Sequence, residues 1–273
     1  MSEVVVTGSF DNLNSRYVRF LHEASKLGRV CVLLWSDETV GICEGKAAKF
    51  PEVERLYLQD AIRFVNDVAL VHARSREEVM VRVDEVGPKY WVVDEESDEP
   101  DKRAHCESRG VEYVVVRNET LRDFPQSDRR ISSEPNSRKK VIVTGCFDWF
   151  HSGHVRFFEE VSELGDLYVV IGNDDNVQLL KGQGHPLFPQ DERRYIVDSI
   201  RFVRQALIAS GSGWLDAAPE IEKIEPDIYA VNQDGDRPQK REFCAAHGLE
   251  YMVLARKPRE GLPRRESRVL RGF

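Results

Sequence analysis

The chain contains one segment twice, and this repeat limits the folds that it can adopt. Residues 4–11 read VVVTGSFD, and residues 141–148 read VIVTGCFD. The correspondence continues downstream, where Glu54-Arg55 aligns with Glu192-Arg193. Similarity on this scale in a chain of 273 residues predicts two whole domains of the same fold rather than a solenoid of short repeats.

Each copy begins as an apolar strand that runs into a turn and a helix. Val141–Val143 is apolar at every position, which is typical of a strand buried within a parallel sheet. Phe157, Val161 and Leu164 then recur at helical spacing before Gly165. Strand-like runs alternate with helical patterns in both halves, near Val30–Leu34, Ala69–Val71, Tyr90–Val93, Tyr113–Val116, Tyr168–Ile171, Ala206–Ile208, Asp227–Val231 and Tyr251–Leu254. This order predicts an α/β fold of two tandem Rossmann-like domains, each a parallel five-stranded sheet with flanking helices.

We expect the first domain over residues 1–133 and the second over residues 139–273. Glu134–Lys140 lies between them and is short and polar, with Pro135 and a basic run at its end. These features predict a solvated linker.

Composition narrows the classes of function. The formal net charge of −8 argues against a nucleic-acid-binding protein. No hydrophobic segment reaches the length that crosses a bilayer, and the N-terminus lacks a basic region followed by an apolar run. Five cysteines without a pairing pattern agree with a reducing compartment. We therefore expect a cytoplasmic protein with no nucleic-acid partner and no membrane span.

The turn after the repeated strand of the second copy carries two histidines. Backbone amides of Gly145–Asp148 can face an anion, and the helix that begins near Gly153 adds unsatisfied amides and a partial positive charge. His151 and His154 are three positions apart, so their side chains lie on the same side of that helix start. The turn therefore predicts a site that binds phosphate.

Two other interpretations of these histidines stay open. They could belong to a capped and solvated turn, or they could form half of a zinc site. Zinc needs further soft ligands, and Cys146 is the only other one close in sequence, since the chain has no Cys-x-x-Cys. Lys181 and Arg193, taken alone, could also be ordinary surface charges.

The second copy resembles the nucleotidyltransferases that include the cytidylyltransferases. It carries Gly-x-Phe-Asp followed by His-x-Gly-His, at Gly145, Phe147, Asp148, His151, Gly153 and His154. Lys181-Gly182 and Glu192–Tyr195 look like the Lys-Gly and Glu-Arg-Tyr segments of choline- and ethanolamine-phosphate cytidylyltransferases, and matching segments span most of Lys139–Leu270. The tandem arrangement is similar to that of ethanolamine-phosphate cytidylyltransferases, which carry two such domains in one chain.

The resemblance implies transfer of CMP from CTP to a small phosphorylated alcohol, of the phosphoethanolamine or glycerol phosphate kind, with release of pyrophosphate. Histidine donors suit the α- and β-phosphate oxygens, a lysine can bring two anions together, and an arginine can grip a phosphate. The expected catalytic residues are His151, His154, Lys181 and Arg193, and the expected nucleotide-binding residues of the turn are Thr144, Gly145, Cys146, Phe147, Asp148 and Gly153. Mg²⁺ is expected with the triphosphate, steadied by Asp148.

Two alternative functions remain at this stage. An adenylyltransferase that uses ATP is possible on the same fold, because residues that bind phosphate do not distinguish the base. A non-catalytic nucleotide sensor or scaffold belongs to a different class of protein.

The first copy lacks the residues that carry the chemistry. Its equivalents of His151, Gly153, His154 and Lys181 are Asn14, Arg16, Tyr17 and Glu44. A glutamate in place of the lysine puts a negative charge beside the expected triphosphate. We therefore expect a degenerate, non-catalytic domain that acts as an intramolecular pseudo-dimer partner, with a further homodimer also possible. Binding of a different anion through Arg16 or Arg55 is the competing interpretation.

The basic tail and one loop supply further candidates. The resemblance implies Arg-x-x-Gly-Ile-Ser-Thr-Thr after the last strand, and residues 259–267 read REGLPRRES instead. Arg259, Arg264 or Arg265 could replace the missing donors, and Ser267 could cap a final short helix and meet phosphate. Asp234 follows the strand Asp227–Val231, where a ribose or base could lie, although a simple Asp-Gly turn explains it nearly as well.

Overall fold

The computed structural model describes residues 3–126, 138–267, 269 and 270. The chain divides into two compact units, Met1–Asp123 and Phe124–Phe273, and each unit contains one five-stranded parallel sheet. This architecture confirms the predicted α/β fold with two tandem Rossmann-like domains. The predicted end of the first domain at residue 133 and most of the linker Glu134–Lys140 lie outside the described residues.

The first unit alternates strands and helices along the chain. Its strands are β1 (Val4–Gly8), β2 (Val30–Trp35), β3 (Asp67–Val71), β4 (Tyr90–Asp94) and β5 (Glu112–Val116). Its α-helices are α1 (Ser15–Ser25), α2 (Asp37–Glu44), α3 (Glu52–Asp60), α4 (Arg76–Val86) and α5 (Pro100–Arg109).

The second unit repeats this order. Its strands are β6 (Lys140–Gly145), β7 (Asp166–Ile171), β8 (Val203–Ile208), β9 (Ile228–Asn232) and β10 (Glu250–Leu254). Its α-helices are α6 (Ser152–Ser162), α7 (Asp174–Lys181), α8 (Gln190–Asp198), α9 (Ala218–Ile224) and α10 (Pro238–His247). Every predicted strand is present, and most extend one to three residues beyond the apolar run that identified them, as is usual for boundaries read from sequence.

The strand order determines where a ligand can bind. The sheets are ordered β3-β2-β1-β4-β5 and β8-β7-β6-β9-β10. The first three strands of each unit are therefore added towards one edge of the sheet, and the last two are added towards the other edge. In open parallel sheets the loops separate at this switch point and leave a crevice at the carboxyl ends of the strands. In the second unit the crevice is bordered by the histidine turn after β6 and by the segment after β9.

The central strands are buried because helices cover both faces of each sheet. Val4, Val5 and Val6 are fully buried, as are Val141 and Ile142. Burial on both faces explains why these segments are apolar at every position instead of alternating. Among the described residues, no helix has the length and apolar character needed to span a bilayer.

Candidate active site

A large cavity opens at the switch point of the second unit. Its volume is about 650 Å³, and the residues around it include Thr144–Asp148, His154, Lys181, Asp234, Arg256 and Ser267. The histidine turn, the end of α7 and the segments after β9 and β10 therefore converge, although they are distant in sequence. Most of the residues predicted from the motifs lie around this one space.

The turn after β6 is held in a strained and closely packed conformation. Phe147 has a φ of 52°, a value that non-glycine residues seldom adopt. Its ring packs on Gly145 so closely that a β-carbon there would lie 2.8 Å from the Cζ atom of Phe147. Glycine is therefore required at 145, and the amides of the turn are fixed before any ligand arrives.

His151 begins helix α6 as its N-cap. Its Nδ1 atom accepts a hydrogen bond from the amide of Gly153 at 3.0 Å, so the proton of the neutral ring lies on Nε2. That Nε2 atom is buried and has no hydrogen-bond partner among the residues that the structure describes. Burial, with smaller contributions from Arg256 and Arg265, lowers the pKa of His151 to about 3. A β-carbon at position 153 would lie 2.9 Å from Cε1 of His151, which explains the glycine there.

His154 stacks on His151 and faces the cavity. The two ring centroids are 4.0 Å apart with planes inclined by 19°, and the edge of Phe147 supports His154 at 5.3 Å. The Nδ1 atom of His154 is buried, and no described residue forms a hydrogen bond with it. Burial is the main cause that lowers the pKa of His154 well below its ordinary value, followed by His151, Arg256 and Lys181. Both rings are therefore neutral at neutral pH and can donate N–H groups without adding charge.

Basic side chains surround the histidines. Lys181 ends α7 at the cavity, and Arg264 approaches from the tail. Arg256 follows β10 and pairs with Asp234 at 2.6 Å. Burial raises the pKa of the Cys146 thiol although Lys181 opposes this shift, so Cys146 is a neutral part of the wall. The site combines neutral donors on the turn with cations around it, an arrangement suited to a polyphosphate.

Comparison with known proteins agrees with a nucleotide-binding site in the second unit. The family model described as Cytidylyltransferase-like matches residues 142–255. A FAD synthase of Ferroglobus placidus is 36% identical over 125 residues, which cover 45% of this chain and 78% of that protein. A FAD synthase of Pyrococcus abyssi is 35% identical over 122 residues, covering 44% of this chain and 80% of that protein. The bifunctional protein HldE of Campylobacter concisus is 36% identical over 105 residues, 38% of this chain but only 22% of that protein.

The chain belongs to the cytidylyltransferase-like family of nucleotidyltransferases.

Within this cytidylyltransferase-like site, Arg193 does not lie where we expected. Its guanidinium is 1% exposed and donates to the carbonyl oxygens of Phe188, Cys146 and Gly172 at 2.9, 2.6 and 2.9 Å, and to Asp174 at 2.7 Å. These bonds occupy the donors that a phosphate would need. The assignment of Arg193 as a phosphate-gripping catalytic residue is corrected: it positions the turn and the start of α7 from behind the site.

The first unit contains the same structure. Arg55 is fully buried and donates to the carbonyl oxygens of Phe50 and Ser9 at 2.9 and 2.6 Å, and to Asp37 at 2.8 Å. The first copy has no histidine at either position, yet its arginine forms the equivalent hydrogen bonds to two carbonyl oxygens and an aspartate. The arginine is therefore part of the fold of each unit.

Asp148 also has a structural role. Its Oδ1 atom accepts from the amides of Leu187 and Phe188 at 2.6 and 3.1 Å, and its Oδ2 atom lies 3.3 Å from Nδ1 of His185. Asp11 binds the amides of Lys49 and Phe50 at 2.7 and 2.9 Å in the same way. These carboxylates anchor the loop before the following helix.

The expected magnesium position at Asp148 is not supported by this donor set. Two backbone amides bind its Oδ1 atom, and His185 lies beside its Oδ2 atom. In the part of the chain that the structure describes, no three His, Cys, Asp or Glu side chains are grouped so that they could hold a metal. The same result removes support for a zinc site built on His151 and His154. Magnesium is usually held by one or two carboxylates, waters and substrate phosphates, so its binding here would depend on the triphosphate.

The tail residues divide between the cavity and its surroundings. Arg259 lies away from the main cavity and pairs with Glu159 at 3.3 Å, so its expected contact with the nucleotide is corrected. Ser267 does line the cavity, and its hydroxyl donates to the carbonyl oxygen of Trp149 at 3.0 Å. The final short helix expected after it falls largely on residues outside the described ones. Arg256, which was not among the predicted tail residues, lines the cavity beside Asp234.

Sequence reasoning missed three side chains at the cavity. Trp214, Arg237 and Lys240 all line it. Trp214 lies in the loop after β8, and the other two lie before and within α10, far from any recognised motif. A signal was available for Arg237, because it aligns with Glu99 of the first unit. Lys240 aligns with Lys102, so the comparison of the copies does not single it out.

The cavity of the first unit is small, and an arginine pairs with a carboxylate of its wall. The volume of this cavity is about 110 Å³, and Tyr17, Glu44 and Asp94 line it. Arg16, which replaces Gly153, donates to Asp94 at 3.0 Å and to Asn118 at 2.7 Å and lies 3.2 Å from Glu96. The aligned residues of the second unit are Asn232, Arg256 and Asp234, so the guanidinium that pairs with the carboxylate there comes from the segment after β10.

Proposed function

We propose that the second unit transfers a nucleotidyl group from a nucleoside triphosphate to a small phosphate monoester and releases pyrophosphate. The observation that carries this proposal is the pair of neutral, buried imidazoles, each with a nitrogen that has no hydrogen-bond partner among the described residues, at a turn surrounded by cations. Unpartnered buried polar atoms are unfavourable in a folded protein unless a ligand satisfies them. His154 lines the cavity, where a polyphosphate can supply an acceptor, and His151 stacks on His154.

The reaction needs no covalent enzyme intermediate. A phosphate oxygen of the acceptor attacks the α-phosphorus, and the new P–O bond forms as the bond from the α-phosphorus to the bridging oxygen breaks. The bridging oxygen takes the bonding electrons and leaves with pyrophosphate. His154 donates to a phosphate oxygen as charge develops, His151 holds His154 in place by stacking, and Lys181 offsets repulsion between the two anions.

ATP is the first nucleotide to test. The similarity to FAD synthases, which extends over 78% of one of them, supports an adenylyl donor, because FAD contains an adenylyl group. CTP is the second candidate. It is supported by the similarity of Lys181-Gly182 and Glu192–Tyr195 to segments of choline- and ethanolamine-phosphate cytidylyltransferases.

We assign catalysis to the second unit alone. Asn14, Tyr17 and Glu44 replace the residues on which the reaction depends, and Arg16 pairs with Asp94 on the wall of the smaller first cavity. The first unit is then a partner that retains the fold without the reaction.

The test is a two-dimensional screen with the full chain. ATP, CTP, GTP and UTP are each combined with Mg²⁺ and with phosphoethanolamine, glycerol 3-phosphate, glucose 1-phosphate or riboflavin 5′-phosphate, and pyrophosphate is measured. The proposal expects release that requires both a nucleotide and an acceptor and that His154→Ala removes. Nucleotide binding without pyrophosphate from any pair would overturn it in favour of a sensor or scaffold.

A further inference from the structure

Two cavities of the first unit adjoin. One, of about 110 Å³, lies at the carboxyl end of the sheet beside Thr7 and Tyr17, and the other, of about 70 Å³, lies beside Trp91 between the sheet and helices α4 and α5. Trp35 and Lys102 belong to the walls of both. The combined volume of the cavities is comparable to that of a cavity of about 150 Å³ that holds a benzene ring in another, engineered protein. The first unit therefore has room for a small ring.

Three polar atoms in the walls of these cavities have no hydrogen-bond partner in the part of the chain that the structure describes. They are the Nε1 atoms of Trp35 and Trp91 and the Oγ1 atom of Thr7. Trp91 is fully buried, and the rings of His105 and Tyr113 pack nearly perpendicular to its indole at 6.3 and 6.4 Å. An indole N–H can only donate, so it needs an acceptor. Buried donors without partners are rare, and a ligand in the cavity can supply the acceptor.

The second unit has bonded groups at the positions of these unpaired atoms. Tyr229 stands at the position of Trp91, and its hydroxyl bonds Oγ1 of Thr144 at 2.7 Å. Gly172 stands at the position of Trp35. The first unit thus carries two tryptophans where the second carries a tyrosine and a glycine. Loss of the reaction accounts for missing histidines, but it does not account for large aromatic side chains beside a cavity.

The lysine that both units share has different partners in the two. Lys240 of the second unit donates to the threonine of its own first strand at 3.1 Å. Lys102 instead donates to the carbonyl oxygen of Ser97 at 2.9 Å and lies 3.6 Å from Glu99. Burial lowers the pKa of Lys102, and Glu99 opposes that shift. Lys102 is therefore engaged within its own unit and leaves the hydroxyl of Thr7 unpaired.

Negative charge around the larger cavity disfavours a phosphate. Glu44 lies on its wall, where the second unit has Lys181. Burial is the main cause that raises the pKa of the Tyr17 phenol, and the carboxylates of Glu44 and Asp94 are the next causes. The potential at this phenol is therefore negative. It repels an anion and attracts an amino group that can donate to a carboxylate.

We propose that these two cavities bind a planar nitrogen heterocycle that carries no phosphate. The ring lies against Trp35, which both cavities share, and an acceptor atom at the edge of the ring takes the hydrogen bond of the Trp91 N–H group. An amino group of the ligand faces Glu44. Nucleobases and heterocyclic carboxamides combine a flat face, acceptor atoms and an amino group in this way, and flat rings stack well on tryptophan.

This inference does not depend on turnover in the second unit, and NMR tests it on the full chain. The four tryptophans, labelled with ¹⁵N, give separate indole N–H resonances, which single Trp→Phe substitutions assign. Adenine, cytosine, hypoxanthine and nicotinamide are titrated in turn. At least one is expected to shift the Trp91 resonance downfield to saturation, because its N–H gains an acceptor. The resonances of Trp149 and Trp214 report any separate binding in the second unit.

Substitutions of Trp35 and Glu44 test the two parts of the site. Trp35→Ala should weaken binding of the probe about tenfold and Trp35→Phe only about threefold, because a smaller ring keeps part of the stacking. AMP should bind the first unit at least about tenfold more weakly than adenine, and Glu44→Lys should remove that difference. Ile42→Ala is the matched control, because Ile42 is 46% exposed on α2 and borders neither cavity.

Three results would overturn the proposal. The first is a Trp91 resonance that none of the four rings shifts. The second is tighter binding of choline or ethanolamine than of every ring, which would identify a site for aliphatic amines. The third is unchanged affinity in the Trp35 variants, which would place the ring elsewhere. Thermal unfolding checks that these variants fold, and Trp35→Phe carries the comparison if Trp35→Ala does not.

Discussion

The amide of Gly153 donates to Nδ1 of His151 across 3.0 Å, and this contact decides which imidazole nitrogen carries the proton. The ring caps helix α6 with one nitrogen and presents a buried N–H on the other. The first unit performs the capping half of this task with Asn14, whose side-chain oxygen accepts from the amide of Tyr17 at 2.9 Å. The two copies therefore separate the structural role of the position from its chemical role.

His151→Asn should keep the fold and lose the reaction. Asparagine can cap the helix as Asn14 does, so the thermal midpoint should change little, whereas the buried N–H donor is gone. His151→Ala, which also removes the cap, should cost about 0.5–2 kcal/mol of stability in addition. Thermal unfolding and pyrophosphate release measured on both variants check this. Full activity in His151→Asn would contradict the assignment.

His154→Ala should lower kcat by about 100- to 1,000-fold, the usual effect of removing one donor that acts in the transition state. Tyr17→Ala is the matched change in the first unit, since Tyr17 packs edge-on against Phe10 at 5.5 Å as His154 packs against Phe147. It should affect stability and leave kcat unchanged. Comparable losses of kcat from the two substitutions would show that both units take part in the chemistry.

Lys181→Glu places in the second unit the residue that the first unit carries at Glu44. The side chain is exposed, so folding should be unaffected, while a negative charge beside the substrate phosphates should reduce kcat/KM by at least about 100-fold at low salt. Glu44→Lys is the reciprocal control and should leave the rate unchanged. The pair of variants is compared at two ionic strengths, because an electrostatic effect weakens with salt.

Arg193→Ala should act through stability. The substitution leaves three carbonyl oxygens and the partly exposed carboxylate of Asp174 without their donor, and each buried group left unsatisfied costs about 1–3 kcal/mol. Arg55→Ala removes the equivalent bonds of the first unit and should destabilise by a similar amount. Urea unfolding of both variants measures this. A stable Arg193→Ala protein that has lost only turnover would return the arginine to the catalytic group.

Acid should destabilise the second unit through its buried histidines. An unfolded histidine has a pKa of about 6.5, whereas burial lowers the pKa of His151 to about 3. Between these values the unfolded chain binds a proton that the folded chain does not. The free energy of unfolding therefore falls as the pH falls, by about 1.4 kcal/mol per pH unit for this residue. His151→Asn should lose about 2 kcal/mol less than the original chain between pH 7 and about pH 5, measured by urea unfolding.

The fold and the main members of the site could be predicted because they depend on local patterns. Fully apolar strands, alternating helices and the internal repeat identified two parallel sheets. The Gly-x-Phe-Asp and His-x-Gly-His segments placed His154 and the turn at the correct edge of the sheet. The loops that follow the strands of a parallel sheet all leave from its carboxyl edge.

The roles of Arg193 and Asp148 could not be assigned from their residue types alone. An arginine and an aspartate near a phosphate site can bind the ligand or its metal ion. Each can equally form hydrogen bonds with backbone carbonyl or amide groups that have no partner in a helix or strand. The repeat already contained the discriminating fact, because Arg55 and Asp11 persist in the copy that has lost its histidines. Trp214 and Lys240 were missed for a different reason. Their approach to the cavity depends on how the loop after β8 and the helix after β9 pack, which no local spacing encodes.

Asp94, Glu96 and Asn118 hold the guanidinium of Arg16 in the first unit. Returning histidines to positions 14 and 17 would leave Glu44 in the place of a phosphate-binding lysine, and removing Arg16 alone would leave the carboxylates of Asp94 and Glu96 without their arginine. Building a phosphate site in the first unit would therefore require several coordinated substitutions.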